Sequence, residues 1–168
     1  MNIFGTYSRN FLSLFKKKEN LIGIILILII FLLDRFSKIK IINYFSNNNE
    51  VFINDYINLN LVWNTGIGFG LLSSDSNLFY TSISLLIFTI IIFLFYIFFK
   101  SNLVDKFLFS LVLGGAIGNF WDRVFFFAVP DFIDIHYENF HWFTFNIADI
   151  FISVGIITII LKDLILKK

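Results

Sequence analysis

Two aspartates in the C-terminal third of the chain, Asp131 and Asp149, have the residue type and spacing for paired acid/base chemistry. The stretch PDFID (130–134) follows one long apolar segment, and FNIADI (145–150) opens the next. The two segments meet on one side, so a connection of 18 residues lets the carboxylates approach each other. At about 4 Å and an effective dielectric near 20 they would repel by roughly 4 kcal/mol, so one would keep its proton. Such a pair can activate water and polarise a scissile carbonyl, as in aspartic proteases.

Other polar side chains are predicted at the same depth as Asp149. Asp34 lies roughly 20 Å along the first apolar segment, and Asp122 roughly 22 Å along the third. Ionisable groups at such a depth cost several kcal/mol unless they are paired or near water, so by default they mark a functional site. Their polar neighbours in the sequence are Lys38, Asn119, Arg123 and Asn146.

Each of these groups also has a purely structural interpretation. Asn146 and Asp149 have the spacing of a helix N-cap with an acid at the third helical position. Asp34 and Lys38 have the spacing of an i, i+4 ion pair. Asp122 and Arg123 could be a charge pair at the membrane interface, with a snorkelling arginine. The shared depth favours a site, because independent structural features need not lie at one level.

The elements that must position these residues are membrane helices. The 168-residue chain is 58% hydrophobic and 20% aromatic, with a mean hydropathy of +0.83, which is typical of an integral membrane protein. We predict an all-α integral membrane protein formed by one domain over residues 1–168, with a four-transmembrane-helix bundle. The four helices are predicted over about 21–42, 78–99, 107–129 and 145–166.

The basic residues predict the orientation of these helices. With four crossings, nine Lys and Arg side chains fall on one side, which the positive-inside rule identifies as the cytoplasm together with both termini. Residues 43–77 and 130–144 contain no Lys or Arg and are therefore predicted outside. Within the first of these segments, the alternation of Ile57, Leu59 and Leu61 indicates a strand whose apolar side faces the membrane.

Several other chemistries have weaker support. The absence of cysteine excludes disulfides, thiolate metal sites and a cysteine nucleophile. His136 and His141 lie near Asp134 and Glu138, but the chain has no H-E-x-x-H motif and no third clear ligand, so we predict no metal and no cofactor.

A Ser37–Lys40 dyad is disfavoured because Lys40 is expected to reach toward lipid headgroups. The glycines at 66–70 lack the strand–helix context of a nucleotide loop and are interpreted, like the asparagines at 47–49, as a turn. Nothing in the sequence supports nucleic-acid binding.

Two functions without catalysis compete with the protease hypothesis. A small transporter or channel could use the three membrane aspartates as an ion relay. That function predicts acids across the whole membrane, whereas the inner halves of the four segments are apolar. A structural subunit could use the polar layer only to hold helices together.

Five short motifs occur in a fixed order along the chain. They are LDRFSK (33–38), WNTGIGFG (63–70), GGAIGNFWDRV (114–124), VPDFID (129–134) and FNIAD (145–149). In these motifs and their spacing the sequence resembles the lipoprotein signal peptidases, or signal peptidase II, of bacteria. Two departures stand out, since Arg35 replaces a usual glutamine and Pro130 replaces a usual valine.

The resemblance implies that Asp131 and Asp149 are the catalytic residues of an aspartic endopeptidase. It implies cleavage of diacylglyceryl-modified prolipoproteins just before the lipidated cysteine, inhibition by globomycin, and a small extracytoplasmic β-sheet with a short surface helix. We expect a multi-pass protein of the bacterial inner membrane that is monomeric and contacts lipids, without a nucleic-acid partner. Substrate-binding or supporting residues are expected at Asp34, Lys38, Asn64, Gly66, Asn119, Asp122, Arg123 and Asn146.

Overall fold

The computed structural model describes residues 17–46, 51–66 and 77–166, which form four long helices and four strands. Each predicted apolar segment is a helix, and the observed bounds differ from the predicted ones by four residues or fewer. In chain order the elements are α1 (Lys18–Phe45), β1 (Val51–Asn54), β2 (Ile57–Asn64), α2 (Asn77–Lys100), α3 (Leu103–Phe126), β3 (Val129–Tyr137), β4 (Phe140–Phe145) and α4 (Ile147–Leu166).

The predicted small sheet is confirmed as an antiparallel sheet in the order β1-β2-β3-β4. The strand predicted from the alternating residues is β2, but its most buried side chains are Asn58 and Asn64. Ile57, Leu59 and Leu61 are only partly buried. The alternation therefore located the strand, but the side chains that the strand buries most are those of Asn58 and Asn64.

Helix α3 ends three residues earlier than predicted, and the chain turns directly into the sheet. Phe127 has a left-handed backbone with φ of 55°, a conformation that commonly terminates helices. Pro130 then lies in β3 opposite Trp63. The pairing of β3 with β4 begins only at Ile133, so Pro130 lies near the start of β3 with one neighbouring strand, a position where proline is tolerated.

The two predicted turns fall wholly or largely outside the described residues, and the predicted short surface helix is not found within them. Within residues 17–46, 51–66 and 77–166 all helices are long, and none is a short surface helix. The asparagine turn at 47–49 and most of the glycine turn at 66–70 belong to ranges that the structure does not describe.

Helix α3 packs against the other three helices and supplies the glycines that permit close contact. A Cβ atom on Gly115 would lie 2.5 Å from the carbonyl oxygen of Ala148 in α4. A Cβ atom on Gly118 would lie 2.5 Å from the carboxylate of Asp34 in α1. These glycines bring the polar residues of the three helices within bonding distance of one another.

The outer faces of the helices are covered by exposed apolar side chains, including Phe36 on α1, Phe93 on α2 and Leu164 on α4. Continuous apolar surface of this kind marks contact with a membrane or a partner. Two of the described helices, over Tyr80–Lys100 and Leu103–Phe126, are long and apolar enough to span a membrane. Four crossings therefore stay a prediction.

Replacing Gly115 by alanine should destabilise the fold although alanine is the better helix former. The added methyl group would meet the α4 backbone, which cannot move aside as a side chain could. Overpacking costs about 1–3 kcal/mol, against a gain in helix propensity of about 1 kcal/mol. The measurement is the free energy of unfolding in detergent. The control is Val124→Ala at an exposed position of the same helix, and equal stability of both variants would contradict this packing.

Candidate active site

Asp131 lies in strand β3 and is almost completely buried, with 2% of its surface exposed. Its Oδ2 accepts a hydrogen bond from the side-chain amide of Asn64 at 2.9 Å. Its Oδ1 accepts one from the side-chain amide of Asn146 at 2.5 Å. The neighbouring strand β2 and the start of α4 therefore hold one oxygen each, which fixes the orientation of the carboxylate.

Asp149 lies in the first turn of α4, where Asn146 precedes the helix as its cap. The backbone N–H of Asp149 donates to Asn146 Oδ1 at 3.1 Å, and the backbone N–H of Asn146 donates to Asp149 Oδ2 at 3.2 Å. This reciprocal pair is a capping box, so the structural interpretation is confirmed. The same Asn146 also donates to Asp131. One residue thus holds both candidate catalytic carboxylates.

The environment of Asp131 favours its protonated form. Removal from water and the negative charge of Asp149 raise the pKa of Asp131 to about 6, against the opposing effect of the hydrogen bonds from Asn64 and Asn146. Burial penalises the charged form of a carboxyl group, and a like charge nearby adds to that penalty. A carboxyl group with this pKa can both give and take a proton near neutral pH.

Lys38 is completely buried and joins α1 to α3. Its ammonium group donates to Asp34 at 2.8 Å, to Asp122 at 2.7 Å and to Asn119 at 2.8 Å. The predicted i, i+4 pair of Asp34 and Lys38 is therefore confirmed, within a larger cluster. Asp34 extends it to α4 by accepting from the backbone N–H of Ala148 at 3.1 Å.

Asn119 connects this buried cluster to the candidate catalytic pair. Its side-chain oxygen accepts from Lys38, and its side-chain nitrogen donates to Asp149 Oδ1 at 2.7 Å. Because the lysine must donate, the amide has one allowed orientation, with its NH₂ toward Asp149. The hydrogen bond from Lys38 thereby directs the Asn119 NH₂ group toward the carboxylate of Asp149.

Arg123 differs from its predicted arrangement. It is 5% exposed, so it does not snorkel, and its side chain is not paired with Asp122. It donates instead to the backbone oxygens of Gly66 at 2.9 Å and Asn119 at 3.1 Å. The backbone N–H of Gly66 in turn donates to Asn64 Oδ1 at 2.8 Å. Arg123 therefore supports the loop that orients the amide of Asn64 toward Asp131.

Arg35 was not among the predicted site residues, although this arginine replaces the glutamine that is usual at its position in the lipoprotein signal peptidase motif. The Arg35 guanidinium contacts Asp122 Oδ1 at 2.5 Å and Asp34 at 3.4 Å. The sequence feature that indicates this role is the position of Arg35 directly after Asp34, in a helix that packs against the helix of Asp122. The Ser37 hydroxyl, in contrast, donates to the Asp34 carbonyl and Lys40 is exposed, so no serine–lysine dyad forms.

Both candidate catalytic aspartates line one cavity of about 270 Å³ between helices α2, α3 and α4. Its walls combine Asn64, Asn119 and Arg123 with apolar side chains such as those of Ile87 and Ile152. A larger cavity of about 470 Å³ touches Asp131 but not Asp149, and lies on the side of strands β2 to β4. The smaller cavity has the residues expected of a reaction centre, because polar groups converge there within an apolar wall.

All ten predicted site residues thus belong to one connected network. Asp131 and Asp149 share Asn146, and the remaining residues reach them through Asn64 on one side and Asn119 on the other. The geometry holds two carboxylates at one cavity with partly apolar walls, and the pKa of Asp131 is raised there. That arrangement suits acid/base activation of water at a polar bond.

Comparison with known proteins gives one consistent result. The family model described as signal peptidase (SPase) II matches residues 26–165. The chain is 42% identical over 149 residues to a lipoprotein signal peptidase of Pelagibacter ubique, covering 88% of this chain and 90% of that protein. It is 38% identical over 151 residues to a lipoprotein signal peptidase of Francisella tularensis subsp. novicida, covering 86% and 92%.

Solved structures agree with the sequence matches. A bacterial membrane enzyme determined by the in meso method at 2.3 Å resolution superposes with a TM-score of 0.70 and 32% identity, covering 87% of this chain and 91% of that one. A second, determined at 1.9 Å resolution, gives a TM-score of 0.65 and 29% identity, covering 83% and 90%. The chain therefore belongs to the signal peptidase II family of membrane proteases.

Proposed function

We propose that this protein removes signal peptides from diacylglyceryl-modified prolipoproteins, as an aspartic endopeptidase that cleaves just before the lipidated cysteine. One observation carries the proposal: Asp131 and Asp149 line the same cavity and are both hydrogen-bonded by Asn146. Membership of the signal peptidase II family supports the substrate class.

In the proposed mechanism the two aspartates share one proton. The ionised carboxylate accepts a proton from water as the water oxygen attacks the scissile carbonyl carbon, and the protonated carboxyl donates to the carbonyl oxygen. When the C–N bond breaks, a carboxyl proton passes to the leaving amine. The signal peptide is released with a new carboxylate, and the lipidated cysteine becomes the new N-terminus.

The supporting residues keep this pair oriented. Asn64, Asn119 and Asn146 each donate a side-chain N–H to a catalytic carboxylate, so they fix the directions of its lone pairs. Lys38 holds Asn119 in the donating orientation, and Arg123 holds the backbone beside Asn64. Preorganised hydrogen-bond donors of this kind lower the cost of reaching the transition state.

The depth of the site fits a substrate anchored in the outer leaflet. We propose four membrane crossings in the bacterial inner membrane, with both termini in the cytoplasm and a monomer in contact with lipids. Exposed apolar residues along α1 and α4 support two crossings beyond α2 and α3. The sheet presents exposed Trp63 and Trp142, and tryptophan is enriched at membrane–water interfaces.

The arrangement of charges supports an ion relay of a transporter or channel less well than it supports a protease. Asp34 and Asp122 are both bonded to Lys38 and Arg35 in a closed cluster. From Leu21 to Leu33 the inner part of α1 has no ionisable residue. A transport path needs polar groups across the full thickness, whereas paired charges at one level suit a scaffold.

Replacing Asp131 or Asp149 by asparagine should abolish cleavage of a synthetic diacylglyceryl-modified precursor. An amide cannot exchange the proton, and general acid/base groups contribute about 10²–10⁴-fold in rate. The measurement is the single-turnover cleavage rate in detergent or lipid, with globomycin as the inhibitor control. Asp55→Asn, an exposed aspartate in the turn before β2, should cleave normally. Normal cleavage by both active-site variants would refute the catalytic pair.

The pH dependence should report the raised pKa of Asp131, which is about 6. Below this pH Asp131 carries the shared proton, and above it the pair loses that proton, so kcat/KM should fall as the pH rises through about 6. Asn64→Ala removes a hydrogen bond to the charged form, which raises the pKa of Asp131. Its pH profile should therefore move to higher pH, and a shift to lower pH would contradict the assignment.

The proposed orientation can be tested with single cysteines, since the natural chain has none. In spheroplasts, a membrane-impermeant thiol reagent should label Asp55→Cys, which precedes β2. It should label Lys100→Cys, at the end of α2, only after the membrane is permeabilised. The reverse pattern would show an inverted topology and would place the catalytic pair on the cytoplasmic side.

A further inference from the structure

The hairpin of β3 and β4 brings together three side chains that the catalytic network does not use. Asp134 and His136 lie two residues apart in β3, and His141 in β4 is the register partner of His136. One possible metal-ligating atom from each residue lies within 4.8 Å of those from the other two. His136 and His141 are the two histidines of the chain. The sheet register therefore supplies the third ligand that the sequence did not identify.

The cluster contains an unpartnered polar atom in a buried position. His136 is 5% exposed and Asp134 is 1% exposed, yet Nδ1 of His136 makes no hydrogen bond within the described part of the chain. It lies 4.0 Å from Asp134 Oδ2, which is too long for a hydrogen bond. A buried ring nitrogen with a free position costs free energy unless something binds it.

The third side chain keeps the cluster open to solvent. Nδ1 of His141 lies 2.6 Å from Asp134 Oδ2, and half of the His141 side chain is exposed. The rings of His136 and His141 are stacked with centroids 5.3 Å apart. Both nitrogens thus approach the same carboxylate oxygen, one at bonding distance and one beyond it.

We propose that Asp134, His136 and His141 form a binding site for a divalent transition-metal cation of the zinc type. Two imidazoles and one carboxylate are ligands that zinc prefers, and three protein ligands leave a fourth position for water. Bonds of about 2.0–2.1 Å in tetrahedral geometry separate ligand atoms by about 3.3 Å. The present distances from Asp134 Oδ2, 2.6 Å to His141 Nδ1 and 4.0 Å to His136 Nδ1, lie on either side of this value, and a bound metal would replace the Asp134–His141 hydrogen bond.

The site is separate from the catalytic pair but belongs to the same hairpin. Asp134 and His141 line the cavity of about 470 Å³ that also reaches Asp131. A metal coordinated by residues of both strands would crosslink β3, which carries Asp131, to β4, which leads to Asn146. The expected role is structural, as a metal clip on the hairpin that holds one catalytic aspartate.

The direct test is Zn²⁺ binding to the full-length protein in detergent, purified with a tag that contains no histidine and stripped with a chelator. We expect one Zn²⁺ per chain by titration against a chromophoric competitor. Because the chain has two histidines, ¹⁵N-histidine NMR should show both imidazole signals move on addition of Zn²⁺. Absence of stoichiometric binding, or NMR signals that do not change, would overturn the proposal.

Variants distinguish this site from binding elsewhere on the protein. His141→Ala alters an exposed side chain, and it should weaken Zn²⁺ binding at least about tenfold, as should Asp134→Asn. Glu138→Gln removes a nearby exposed carboxylate from the hairpin turn and should bind like the natural chain. Asp131→Asn should also bind Zn²⁺ with the affinity of the natural chain. Unchanged binding in His141→Ala, or loss in Asp131→Asn, would assign the metal to another site and overturn the proposal.

Discussion

The structure depends on one buried ammonium group, that of Lys38, which lies between the carboxylates of Asp34 and Asp122. A buried carboxylate is costly alone, and so is a buried lysine, but paired at hydrogen-bond distance they stabilise each other. Removing one partner of such a cluster typically costs about 3–5 kcal/mol, because the remaining charge stays buried. The cluster therefore fixes α1 against α3, and through the Ala148 backbone it fixes α4 as well.

The catalytic proposal depends on Asn119, which connects this cluster to Asp149. Lys38 fixes the orientation of the Asn119 side-chain amide, which therefore donates a hydrogen bond to Asp149. Asn146 caps α4 and is hydrogen-bonded to both Asp131 and Asp149. Structural and functional interpretations of the Asn146–Asp149 pair are thus compatible, since the capping box itself orients a carboxylate of the proposed catalytic pair. Burial then raises the pKa of Asp131 into the range where proton transfer is efficient.

Much of this site could be predicted because its residues lie in helices with regular spacing. Four apolar segments became four helices, and the i, i+4 pair of Asp34 and Lys38 formed as spacing requires. The order of five motifs identified the family, and the family model then matched residues 26–165. The sheet was predicted in outline only, because alternation locates a strand but not its neighbours or register.

The sequence by itself determined the apolar helices and the pairing of residues one helical turn apart, because these follow from local periodicity. The tertiary structure alone decided which charges meet across elements. It paired Asp122 with Lys38 and Arg35 rather than with Arg123, and turned Arg123 toward the backbone of Gly66. It also placed Asp134 beside His136 and His141 through strand register. Such contacts depend on helix packing and hairpin register, which no local pattern specifies.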